Sequence, residues 1–139
     1  MPNYPDEEEF KRWQTHAKST LRSVNMDLSF GFYNWACFKA QQSAEYSAKA
    51  FLRGVGTDSF GYSVSMLLKR AGFDEELIKL AKKIDKYYIP TRYTDAWSEG
   101  LPEDYYTMED AEDTLECSEK IILEVEDRWK SLKSAKDKE

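Results

Sequence analysis

Two short segments hold the residue types that could do chemistry. In the first, Gln41, Gln42, Glu45 and Lys49 fall within nine residues of chain. Two amides, a carboxylate and an ammonium supply donors, acceptors and both signs of charge. In the second, Lys86, Tyr88, Arg92, Tyr93 and Asp95 fall within ten residues. Tyrosine rings stack on bases, and a guanidinium grips phosphate with a fork of hydrogen bonds. These types suit a phosphorylated ligand, or a protein contact that includes hydrogen bonds. A plainer reading stands beside each. Glu45 and Lys49, four apart on a helix, can simply pair for about 0.2–0.5 kcal/mol. Arg92 and Asp95 are spaced to meet across a turn, within an ordered connection packed by Tyr88, Tyr93 and Trp97.

No other set of residues offers a reaction. His16 is the single histidine; no cysteine or second histidine stands near it in sequence to build a zinc site, and no serine is placed for it to activate in a plausible geometry. Gly54 and Gly56 lack the lysine and hydroxyl that complete a phosphate loop. The carboxylates from Glu109 to Glu119 have the spacing of a solvated helix face. No metal and no cofactor is expected. The two cysteines, Cys37 and Cys117, fall where helices should pack and are expected to be free and buried.

Helical periodicity dominates the elements that must position these residues. The first helix should start near Asp6, with acidic residues in its first turn, where the helix dipole favours them. Its apolar face is Phe10, Trp13, Ala17, Leu21, Val24 and Leu28. A break at residues 29–32 leads to a second helix over Tyr33 to Arg53, stopped by Gly54 and Gly56. Phe38, Ala44, Ala48, Phe51 and Leu52 form its stripe, and the polar set runs beside that stripe. A glycine-containing loop precedes a short helix over Ser63 to Ala71. Asp74 can cap a fourth helix, with Leu77, Ala81 and Ile84 inward and Pro90 just past its end. Residues 91–106 look irregular. Thr107 and Asp110 resemble a capping box for a last helix from Met108 to Lys133. Three long helices and two short ones predict an all-α fold, an antiparallel bundle of about five helices in one domain.

The chain has 139 residues and a net charge of −6. That charge is unevenly spread. Ten Lys/Arg face six Asp/Glu between Lys39 and Arg92, whereas thirteen Asp/Glu face only Lys120 between Asp95 and Asp127. Solvated helix faces explain this asymmetry plainly; a basic surface for an anionic ligand explains it more sharply. Global acidity argues against tight non-specific binding of duplex DNA. No apolar run approaches the roughly 20 residues that a membrane helix needs. The acidic N-terminus lacks the apolar core of a signal peptide, so a cytoplasmic location is expected.

The two segments together resemble the HEPN family (higher eukaryotes and prokaryotes nucleotide-binding). The resemblance runs through Trp13, Ala17 and Leu21, then through Ala36-Cys37-Phe38-x-Ala40-Gln41-Gln42-x-Ala44-Glu45-x-x-x-Lys49. It continues in Gly61-x-Ser63-x-x-x-Leu67-Leu68 and in Asp85-x-x-Tyr88-Ile89-Pro90-Thr91-Arg92-Tyr93-x-Asp95-Ala96. It implies a small helical bundle of the prokaryotic stand-alone type, usually a homodimer. It also implies a nucleotide ligand or a minimal nucleotidyltransferase partner, in a toxin-antitoxin-like pairing. Nucleases of the family use an arginine followed four to six residues later by a histidine. Here no histidine follows Arg92, and Gly61-Tyr62-Ser63 stands where Gly-His-Ser is common. Tyr46, Thr94 and Thr20 stand where lysine, proline and aspartate are frequent. Metal-free RNA cleavage needs a group that moves protons near neutral pH, and both expected imidazoles are missing. The expectation is therefore a non-catalytic binding protein. A ribonuclease with a rewired site, using Arg92, Asp95 and Tyr62, is the alternative; a pure interaction module is the third reading.

Overall fold

A computed structural model describes residues 5–137, and among them the fold is all-helical, with no strand. Five α-helices follow one another: α1 (Glu7–Ser29), α2 (Tyr33–Gly54), α3 (Val64–Arg70), α4 (Glu75–Asp85) and α5 (Met108–Asp137). Asp74 and the Thr107–Asp110 pair cap their helices as the sequence predicts, and Asp6 and Ser63, expected as helix starts, prove to be caps as well. Asp6 accepts from the Glu9 amide, Ser63 from Met66 and Asp74 from Leu77, each meeting an otherwise orphaned donor. Thr107 and Asp110 form the reciprocal box at 3.0 and 3.1 Å. The irregular stretch before it contains two 3₁₀ turns, Thr94–Ala96 and Pro102–Asp104. The last helix runs four residues beyond the expected Lys133, to Asp137.

The α2 helix is the centre of the molecule and touches every other α-helix. It folds back on α1 through a turn at Gly31, whose φ of +82° suits glycine. Trp129 and Ile122 of α5 meet Glu7 and Gln14 of α1 in reverse order, so α5 runs antiparallel to α1.

The larger apolar core gathers Phe10, Phe51, Leu52, Leu67, Ile84, Ile121 and Trp129; a smaller one gathers Val24, Ala36, Cys37, Ala40, Ala111 and Leu115. Phe10 stacks on Trp129 with ring centroids 4.3 Å apart. Gly54 does not act as a terminator. It is the last residue of α2, and a β-carbon there would sit 2.5 Å from the Trp129 ring. The left-handed residue that ends the helix is Gly56, with φ +76°.

A polar seam ties α1, α2 and α5 together. Ser43 donates to the Ala17 carbonyl at 2.7 Å, Ser47 donates to Gln14 Oε1 at 2.7 Å, and Gln14 Nε2 donates to the Ile122 carbonyl at 3.2 Å. All three side chains are buried, so each bond meets a group that would otherwise be costly to desolvate. Such bonds also fix how the helices sit lengthwise, because sliding by one turn would orphan all of them.

Candidate functional site

The first polar set is a closed network rather than an open pocket. Gln41 is fully buried, not on a surface strip as its sequence neighbourhood suggests. Its Nε2 donates to the Tyr62 carbonyl at 2.9 Å, and its Oε1 accepts from Gln42 Nε2 at 2.8 Å. Gln42 Nε2 also reaches Glu45 Oε1 at 3.3 Å, while Gln42 Oε1 accepts from the Tyr46 hydroxyl at 3.2 Å. Lys49 lies 3.2 Å from the other Glu45 oxygen, in the pairing that its spacing allows. Most of the donors and acceptors in this set are thus met within α2 and by the chain just before α3.

Burial pushes the Glu45 carboxyl up from the ordinary carboxylate range, and Lys49 together with the two glutamines only partly offsets it. Burial likewise raises the Tyr46 hydroxyl, with smaller contributions from the Glu45 charge and from Tyr88. The Cys37 thiol is pushed up to about 12 by burial, so it is a packing residue with no thiolate chemistry at neutral pH. Both cysteines are free and buried.

The second set divides. Arg92 follows the turn after α4, and its Nε donates to the Tyr88 carbonyl at 2.9 Å. Its guanidinium carbon lies 4.3, 4.7 and 4.9 Å from the ring centroids of Phe38, Tyr88 and Tyr93. Three aromatic faces around one cation form a strong local hold. No protein acceptor meets Nη1 or Nη2 of Arg92 among the described residues. Tyr88 in turn stacks on Tyr62, with centroids 4.6 Å apart and planes 11° from parallel. The expected contact between Arg92 and Asp95 is not made: among the described residues no ion pair joins them, because Asp95 turns outward in the 3₁₀ turn and Arg92 folds back over the rings. Lys86 caps the C-terminus of α4 and is exposed, as Asp95 is; neither joins the aromatic group.

His16 is exposed on α1 and its ring lies 4.2 Å from that of Tyr46. No contact joins it to Arg92 among the described residues. No group of three or more metal-ligating side chains occurs among the described residues.

Two residues missed by sequence reasoning hold this region in place. Asp85, at the last turn of α4, accepts from the Val64 amide at 2.8 Å, the Ser65 amide at 3.0 Å, and the Ser65 and Ser63 hydroxyls at 2.7 and 3.0 Å. It fastens α3 to α4 and so fixes the chain that carries Tyr62 and Tyr88. Asn34 is buried and its Nδ2 donates to the Thr91 carbonyl at 3.0 Å, pinning the chain just before Arg92 to α2. Asp85 gave no signal as a cap because its partners lie about twenty residues earlier. Asn34 gave one: a polar residue two positions before Ala36 at the start of an apolar helix.

Comparison with known proteins adds to this geometry. A family model described as the HEPN domain matches residues 10–128. Among solved structures, TT1696 from Thermus thermophilus is 38% identical, with a TM-score of 0.81, over 85% of this chain and 96% of that one. ST0689, an archaeal HEPN homologue, is 34% identical with a TM-score of 0.76, over 86% and 96%. An HEPN domain protein of Thermotoga maritima, tm0613, is 35% identical with a TM-score of 0.69, over 86% and 98%. No curated protein matches the chain.

Proposed function

Because the chain belongs to the HEPN domain family, we propose that it is a non-catalytic member: a homodimer that binds a nucleotide or a small nucleotidyltransferase partner. One observation carries this reading. The Arg92 guanidinium is held by a carbonyl and three rings, yet its two terminal nitrogens meet no acceptor among the described residues. A pre-positioned fork with open donors suits a phosphate or a carboxylate from outside the chain. The rings of Tyr88, Tyr93 and Tyr62 beside it suit a base.

Pairing is supported by exposed apolar side chains on the same part of the molecule. Tyr62, Ile89 and Tyr93 are each at least half exposed, and Phe30, Phe32 and Trp35 lie at the α1–α2 turn, near the Asn34–Thr91 bond. Exposed aromatic groups of this kind commonly mark a protein contact. The non-catalytic reading rests on the sequence, which has no histidine after Arg92 and has Tyr62 between Gly61 and Ser63; within one chain His16 lies against Tyr46. A rewired nuclease built from Arg92, Asp95 and Tyr62 draws less support, since Arg92 and Asp95 do not meet.

Calorimetric titration with ATP and with GTP, alongside sedimentation equilibrium, tests the proposal. Saturable heat from a dimeric protein, with RNA left intact on long incubation, is the expected result. A folded monomer giving no heat at millimolar nucleotide, or metal-independent RNA cleavage abolished by Arg92→Ala, would overturn it.

A further inference from the structure

The connection between α4 and α5 spans residues 86–107 and is far longer than helix–helix connections in bundles usually are. It is nevertheless built to hold one shape. Trp97 Nε1 donates to the Pro90 carbonyl at 2.8 Å, and Trp97 stacks on Tyr105 with centroids 4.0 Å apart. The Tyr105 hydroxyl donates to the Glu99 carbonyl, and the Leu101 amide donates to Asp104 at 2.9 Å. Tyr106 meets Trp97 edge-on and packs on Tyr87, anchoring the segment to the smaller core.

What this rigid segment shows to solvent is apolar and acidic at once. Leu101, Tyr105 and Met108 are 51, 41 and 53% exposed. Asp95, Glu99, Glu103 and Glu109 are exposed, and their carboxylates meet no donor or cation among the described residues. No lysine or arginine stands between Arg92 and Lys120. A merely solvated face would not need a pre-ordered backbone under exposed leucine, tyrosine and methionine. A large apolar ligand would not need the carboxylates.

We propose that residues 95–108 form a docking surface for a basic protein segment, in which an arginine or lysine stands beside an apolar side chain. The apolar residue covers Leu101 and Met108. The cation lies against the free face of the Tyr105 ring, among the carboxylates, where ring and charge attract it together. Charge complementarity selects the partner: an unbroken acidic run repels nucleic acid and other acidic surfaces and favours a cationic one. The surface calls for a cation, whereas the Arg92 group calls for an anion. It stands or falls independently of nucleotide binding.

Selection of a random peptide library displayed on phage against the immobilised full chain tests this. The double variant L101S/M108S serves for counter-selection; both side chains are exposed, and circular dichroism checks that it folds. The expected result is a set of enriched peptides that share arginine or lysine beside a leucine or aromatic residue. They should shift the Trp97 indole N–H signal and bind L101S/M108S at least about tenfold more weakly than the wild type. They should also weaken on E99Q/E103Q/E109Q. No enrichment, enriched peptides without a cation, or equal binding to L101S/M108S would overturn the proposal. So would a shift of the dimer equilibrium by L101S/M108S, which would assign the surface to a second copy of the chain.

Discussion

Gln41 Nε2 donates to the carbonyl of Tyr62 at 2.9 Å, across 21 residues of sequence. That bond turns what looks like ligand-seeking chemistry into architecture. It holds the segment before α3 against the middle of α2, and with it the Tyr62 ring that covers Tyr88. The glutamines therefore serve the aromatic group around Arg92 by placing it.

Gln41→Ala should destabilise the protein by about 2 kcal/mol, because it empties a fully buried position and removes the bonds to the Tyr62 carbonyl and to Gln42, which keeps only its longer contact with Glu45. Gln42→Ala, at a half-buried position, should cost less than Gln41→Ala. Chemical denaturation of the two variants measures the difference. Equal losses would show that burial of Gln41 is not what matters.

Asp85→Ala should cost about 2–3 kcal/mol, since one carboxylate accepts two amide and two hydroxyl hydrogens at the start of α3. The loss should be local. Hydrogen exchange should quicken in α3 before the α1–α2 pair is affected, because α3 is short and depends on this cap. Uniform quickening throughout the molecule would contradict that assignment.

The Glu45 carboxyl is raised by burial above its ordinary value of 4.5, so its ionisation opposes folding. Its contribution to stability is full below the unfolded value, is lost as pH rises through the raised folded value, and stays lost above it. Glu45→Gln should therefore raise the melting temperature near pH 7, with a gain that shrinks as pH falls towards 4.5. Melting curves across that range check the sign. A variant less stable than the wild type at pH 7 would show that Lys49, rather than desolvation, dominates the site.

Much of the fold was legible because it is written locally. Asp6, Ser63, Asp74 and the Thr107–Asp110 pair act within four residues of themselves, and the apolar stripes repeat at helical spacing. Contacts between distant residues were not legible in the same way. Nothing in the Gln41-Gln42 string announces that a carbonyl at Tyr62 will meet it, so a partly buried network reads in sequence only as polar residues beside the apolar stripe. Arg92 and Asp95 looked like a turn pair, but three rings outcompeted the carboxylate for the guanidinium. Gly54 read as a stop signal and proved to be a close-packing position under Trp129. The spacing of Gln14, in step with Phe10 and Ala17, places it on the apolar face of α1, where it is buried.

The open nitrogens of Arg92 should hold an anionic group from outside the chain. Arginine side-chain signals in nitrogen-edited spectra, followed while ATP is added to the folded protein, put this to the sharpest test. The Arg92 signal should move along a saturable curve, while those of Arg53 and Arg128, already engaged with Glu9 and with the Phe73 ring, should stay in place. An Arg92 signal that does not move at millimolar ATP, or one that moves no more than the other two, would contradict the anion-binding role.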